Sequence, residues 1–139
     1  MHISKQANYA MRALAYLAEQ PGRLIPIHQV GEAICVPLPF LAKIFSTLSR
    51  AGLVTARRGP KGGVTLCRPA SQVSLGQVVH LIDGARANGH CFLGLGACSE
   101  RNPCPVHNGW HEAHERLSRS LRERTIEDLC RFQRESCRS

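Results

Sequence analysis

No apolar run in this 139-residue chain approaches the length of a membrane span, so no membrane partner is expected. The opening MHISKQANYAMRAL is broken by polar residues where a secretory signal holds a continuous apolar stretch, and a cytoplasmic location is expected. A nucleotide-binding glycine loop, paired acid–base carboxylates and a nucleophile elbow are also missing. Each absence removes a class of enzyme, and no catalytic residue is assigned. There is no internal repeat or low-complexity linker, so the length suits one domain with a helical extension. Acidic residues are few: 10, against 18 lysines and arginines, for a formal net charge of +8.

That surplus is uneven. Residues 1–83 hold nine lysines and arginines against three acids, and residues 84–139 hold nine against seven. A basic front half suits a polyanion, and nucleic acid is the usual one. The seven cysteines, in a chain without an export signal, read as thiols rather than a disulfide framework.

Ser4 is placed to cap a first helix running to about Glu19, with Ala7, Ala10, Met11, Leu14, Leu17 and Ala18 on one face. Pro26 opens a second helix with Ile27, Val30 and Ile34 inward. A third, Leu38–Arg50, carries Leu41, Ile44, Phe45 and Leu48 at three/four spacing and stops at Ala51-Gly52. Two β-like runs follow, Leu53–Ala56 and Val64–Leu66, joined by RRGPKGG. Ser74 and Gln77 form a capping box for a helix through Ile82. After a cysteine-rich loop, a helix spans His107 to about Arg124. Thr125 and Asp128 then cap a terminal helix bearing Ile126, Leu129 and Phe132.

Two short helices in tandem read as a helix-turn-helix whose second member enters the major groove. The candidate recognition helix is Leu38–Arg50, with Lys43, Ser46, Thr47 and Arg50 available to bases or phosphates. The basic, glycine-rich tip reads as a wing, placing Arg57, Arg58 and Lys61 toward an adjacent minor groove.

The stretch GHCFLGLGACSERNPCPVH sets Cys91, Cys98, Cys104 and His107 at C-x6-C-x5-C-x2-H. Three thiolates and an imidazole can hold a tetrahedral zinc or an iron–sulfur cluster, and spacing does not separate the two. An RNA-binding zinc finger, C-x8-C-x5-C-x3-H, is near in pattern, but its gaps differ. His107, His111 and His114 fall on one helical face, which could make a second metal site, but His90, His111 and His114 are read as solvated. Cys35 and Cys67 are read as small buried hydrophobes, and Cys130 and Cys137 as terminal free thiols. Along the last long helix, Trp110, Ala113, Leu117 and Leu121 form an apolar stripe expected to pair with its copy in a second subunit.

The opening ISKQANYAMRALAYLA, the segment LSRAGLVTARRGPKGGVTLCRPAS and the cysteine loop together resemble the Rrf-type winged-helix regulators, IscR- and NsrR-like, over nearly the whole chain. The resemblance implies a homodimeric cytoplasmic transcription factor, usually a repressor, on near-palindromic double-stranded operator DNA. It implies Leu38–Arg50 as recognition helix, Arg58 as the minor-groove arginine, and Cys91, Cys98 and Cys104 as ligands of an iron–sulfur cluster, [2Fe-2S] or [4Fe-4S]. IscR-like members take a histidine three residues after the last cysteine as fourth ligand, where His107 stands. Some NsrR-like members use an N-terminal aspartate where this chain has Asn8. Two departures stand out. Pro39, Phe40 and Ala42 occupy positions where some members are polar or acidic, and the x6 gap is one residue longer than in IscR-like members.

The expected architecture is mainly α: a winged helix-turn-helix with a small β wing (1–83), a cluster-binding loop (84–106), then a long dimerisation helix and C-terminal helix (107–139). The expected function is a regulator sensing redox, nitric oxide or iron–sulfur status. The rivals are a zinc-stabilised nucleic-acid-binding protein and a thiol-based redox regulator without a cluster.

Overall fold

The computed structural model describes residues 3–84, 90–96 and 98–137. The Ser4 hydroxyl accepts from the Ala7 N–H at 3.0 Å and starts helix α1, Lys5–Ala18. Its alanines and leucines bury Ala7, Ala10, Met11, Ala13, Leu14, Ala15 and Leu17. So wide an apolar face makes α1 the centre of the domain. It is packed by α2 (Ile27–Ile34), α3 (Leu38–Arg50), α4 (Leu75–Asp83) and α6 (Ile126–Ser136).

Helix α2 ends at Cys35, whose left-handed φ of 57° turns the chain. Pro37 precedes α3 and Pro39 occupies its first turn, where a missing N–H costs nothing. The chain bends by 116° between the two helices, within the helix-turn-helix range. Leu41, Ile44, Phe45 and Leu48 are all buried, as the spacing predicts. The Arg12 guanidinium on α1 donates to the Ile34 carbonyl, tying the end of α2 to the central helix.

Strands β1 (Val54–Arg57) and β2 (Gly63–Leu66) pair antiparallel, Val54 opposite Leu66 and Arg57 opposite Gly63. Ile25 adds a third rung: its N–H and carbonyl both bond Val64 at 2.9 Å. Gly63 permits this approach, because a Cβ there would lie 2.5 Å from the Ile25 backbone. The sequence reading did not anticipate that rung, because a single bridging residue has no periodicity.

Ser74 accepts from the Gln77 N–H at 3.0 Å and begins α4. Helix α5, His107–Glu123, packs on α4, and a Cβ on Gly76 would lie 3.2 Å from the Arg122 nitrogen. Thr125 and Asp128 form the expected capping box of α6. Helix α6 returns against α1 and inserts Ile126 and Cys130 into the same core.

Helix α6 turns Ile126 and Cys130 inward and leaves Phe132 65 % exposed. Cys130 is therefore a free thiol, as expected, but a buried one, its sulfur 3.5 Å from the Ala15 carbonyl. Two expectations need correction: Cys35 and Cys67 are exposed, not buried. The first sits in the left-handed turn, and the second lies just past β2, 2.7 Å from the Thr55 hydroxyl. The expected loop 84–106 includes residues 85–89 and 97, which lie outside the described residues. Among the described residues no single helix is long and apolar enough to cross a membrane.

Candidate metal centre and nucleic-acid interface

The turn Cys91–Gly94 closes with the Gly94 N–H on the Cys91 carbonyl at 3.0 Å, and Gly94 takes a φ of 74° that suits glycine. A second turn places the Cys98 N–H on Leu95 O at 3.2 Å. Ser99 and Asn102 then bridge with 3.1 Å bonds in both directions and return the chain toward Cys104. The Cys104 carbonyl accepts from the His107 N–H at 3.0 Å, so the last cysteine leads directly into α5.

These turns bring the sulfurs of Cys91, Cys98 and Cys104 within 4.8 Å of one another. Cys91 Sγ and Cys104 Sγ are 3.7 Å apart, and His107 Nδ1 lies 3.3 Å from Cys98 Sγ. All four side chains are half-buried. The backbone N–H of Leu95, then that of Leu93, donate toward Cys91 and hold its thiol below the ordinary cysteine value. Desolvation pushes the Cys104 thiol up, with the neighbouring sulfurs adding to it. One thiol is therefore poised to ionise first, and closing the group around a cation would favour ionising the others.

This donor set fits two inorganic centres. Four ligands about 2.3 Å from one zinc sit roughly 3.8 Å apart on tetrahedral edges, close to the Cys91–Cys104 separation. Three thiolates with one imidazole are also terminal ligands suited to the irons of a cluster.

One wall of the site was not foreseen. A cleft is lined by Cys91, Cys98, His107, Trp110, His111 and His114. Trp110 donates from its indole N–H to the His90 carbonyl at 2.8 Å and packs against Phe92, with ring centroids 5.4 Å apart. His114 lies 5.3 Å from Trp110, and His107 stacks on His111 at 6.2 Å. Their shared helical face was legible from the spacing. The indole-to-loop contact, across 20 residues, was not.

No residue of α5 is buried. Along the expected pairing stripe, Trp110 is half-buried against the loop, Ala113 and Leu117 are exposed, and Leu121 packs on the core. Only part of the stripe is thus left open to a second subunit.

The candidate DNA-facing residues lie on two elements. On α3, Lys43, Ser46 and Arg50 are exposed, while Thr47 is half-buried and donates its hydroxyl to the Lys43 carbonyl at 3.3 Å. Arg57 ends β1, and Arg58 and Lys61 stand on the tip, all three exposed. The tip folds on a Gly62 N–H to Gly59 O bond of 2.9 Å, and a Cβ on Gly62 would lie 2.2 Å from Arg57 O. Among the described residues, none of these cations takes part in an ion pair. Helix α3 packs against β1, so the candidate recognition helix and the hairpin form one unit.

The Rrf2 family model, an iron-dependent transcriptional regulator, matches residues 3–131. A putative HTH-type transcriptional regulator of Aquifex aeolicus is 34% identical over 131 residues, spanning 93% of this chain and 91% of that protein. The HTH-type transcriptional regulator IscR of Klebsiella pneumoniae is 30% identical, spanning 93% of this chain and 79% of that one. In fold, the chain is similar to CymR, the global cysteine regulator of B. subtilis. The TM-score is 0.78 at 20% identity, covering 95% of this chain and 98% of that one. The chain therefore belongs to the Rrf2 family of winged-helix transcriptional regulators.

Proposed function

We propose that this regulator is a homodimeric, cytoplasmic repressor whose affinity for operator DNA is set by an iron–sulfur cluster on Cys91, Cys98, Cys104 and His107. The observation that carries the reading is the convergence of three sulfurs within 4.8 Å, with His107 Nδ1 3.3 Å from Cys98. When bound, the cluster supplies a centre open to oxygen species, nitric oxide or loss of iron.

The chain's own residues supply the rest. His107 opens α5, α5 packs on α4, α4 on α1, and α1 on both helices of the reader. A change in how firmly the four ligands hold the root of α5 biases that packed series between two arrangements. Only a signal that favours one of them shifts DNA affinity. Pairing of α5 with its copy is supported by the exposed Leu117 and by a helix that buries no residue in its own subunit. Such a dimer sets two α3 helices against half-sites roughly 34–36 Å apart.

The test is affinity for duplexes selected from a random pool, comparing metal-loaded protein, stripped protein and Cys98→Ala. Loaded and stripped forms should differ by about 5–150-fold, the usual span of such coupling, and Cys98→Ala should follow the stripped form. Equal affinity in all three contradicts the sensor. The 3.7 Å Cys91–Cys104 separation also supports a second reading, a structural zinc with no switching role. That reading predicts a colourless protein with one zinc per chain.

A further inference from the structure

The first turn of α3 carries an apolar surface where a DNA reader ordinarily presents polar groups. Leu38 is 49% and Phe40 50% exposed, although both are large hydrophobic side chains. Pro37, Pro39 and Ala42 beside them are exposed too. None of these residues serves the core, which α3 fills with Leu41, Ile44, Phe45 and Leu48.

At about 100° per residue, Pro39, Lys43, Ser46 and Arg50 run along the outward strip of α3, with Ala42 on one flank and Phe40 and Thr47 on the other. The cations on and beside this strip (Lys43, Arg50, Arg57 and Arg58) join in no ion pair among the described residues. An apolar patch set among free cations is complementary to a surface that is apolar in the middle and anionic at its edges. The major groove over a thymine is such a surface. Its floor presents a C5-methyl group and its walls are phosphates. Thr47 adds to the match, because its hydroxyl proton is committed to the Lys43 carbonyl.

We infer that Phe40 is a specificity-determining residue that reads a thymine methyl in each operator half-site, with Lys43 and Arg50 holding the flanking phosphates. This rests on α3 being the DNA-reading helix. Discrimination then comes from apolar contact with the C5-methyl at the Phe40 position, not from hydrogen bonds there.

The experiment selects duplexes from a random pool with the wild-type protein. Each thymine of the consensus is then replaced, one at a time, by deoxyuridine, which removes only the methyl group. Affinities are measured for wild type and Phe40→Ala. At one thymine per half-site the wild type should lose about fourfold, the worth of one buried methyl, and about fifteenfold when both half-sites are changed. Phe40→Ala should bind thymine and deoxyuridine duplexes alike. Because Phe40 is half exposed, the variant should keep its fold, checked by circular dichroism.

Three results overturn the inference. Wild-type indifference to every deoxyuridine removes the methyl contact. A methyl effect that persists in Phe40→Ala assigns the contact to another residue. Sequence-specific binding unchanged by Phe40→Ala leaves the patch to a protein partner. Failure to select any consensus overturns the DNA-reading role of α3 as well, and so is distinguishable from the other three.

Discussion

Cys98 Sγ and His107 Nδ1 stand 3.3 Å apart, joining the middle of the cysteine loop to the first residue of α5. Whatever occupies the site is thereby linked mechanically to a helix packed on the DNA-reading core. His107→Ala removes that link while leaving three thiols. Chelator challenge of the loaded protein should show loss of metal increased by more than the roughly 10–100-fold typical of losing an outer-sphere partner. A His107→Ala protein that holds its metal as wild type does would remove His107 from the ligand set.

Cys91 and Cys104 should part in reactivity in the metal-free protein. The Leu95 and Leu93 N–H groups favour the Cys91 thiolate, while desolvation disfavours that of Cys104. As pH rises, Cys91 becomes alkylatable by iodoacetamide before Cys104, and below the ordinary cysteine range. Peptide mass spectrometry of a pH series reads the order directly. Equal rates would mean that the loop hydrogen bonds do not persist without metal.

Gly63 lies against Ile25, where a Cβ would come within 2.5 Å of backbone. Backbone cannot yield as a flexible side chain does. Gly63→Ala should therefore separate the Ile25 rung from β2 and destabilise the fold by about 1–3 kcal/mol, the usual cost of overpacking. Thermal unfolding checks this. A Tm equal to wild type would show that the rung is not a constraint on the wing.

Asp128 accepts from the Thr125 N–H at 2.9 Å, and this bond, with help from the Thr125 hydroxyl, holds its carboxyl below the ordinary value of 3.8. A group lowered in the folded state contributes stability above its unfolded pKa and loses it as pH falls through the folded one. Asp128→Ala should thus lower Tm at neutral pH, and the gap should close below about pH 3.8 as the wild-type carboxylate protonates. A gap independent of pH would deny the ionic part of the cap.

Arg58 is exposed on the wing tip and engages no acid among the described residues. If it meets a phosphate-lined minor groove, Arg58→Ala should weaken binding across sequences and reduce the salt slope by about one. Anisotropy titrations between low and moderate salt give the slope. An unchanged slope would place Arg58 off the DNA.

Much of this was legible in the residues. The buried stripe Leu41/Ile44/Phe45/Leu48, the caps at Ser4 and Thr125, and the basic wing tip rest on local rules that tertiary structure leaves intact. The grouping of Cys91, Cys98 and Cys104 was equally plain, because few other patterns set three cysteines and a histidine so close together. Cys35 and Cys67 misled, and the burial of Cys130 was not foreseen, because a residue type's average burial says nothing about one position. Cys35 is exposed by a left-handed turn, and Cys130 is buried because α6 returns to α1 across 115 residues. A helix of this length supports two neighbouring apolar stripes, and only its docking against α1 selects one.

The most direct test of the central claim is the visible spectrum of protein purified without oxygen, with iron, sulfide and zinc measured on the same sample. The account predicts a brown protein containing iron and acid-labile sulfide, both lost in Cys98→Ala. A colourless protein with zinc, or with no metal at all, would contradict it.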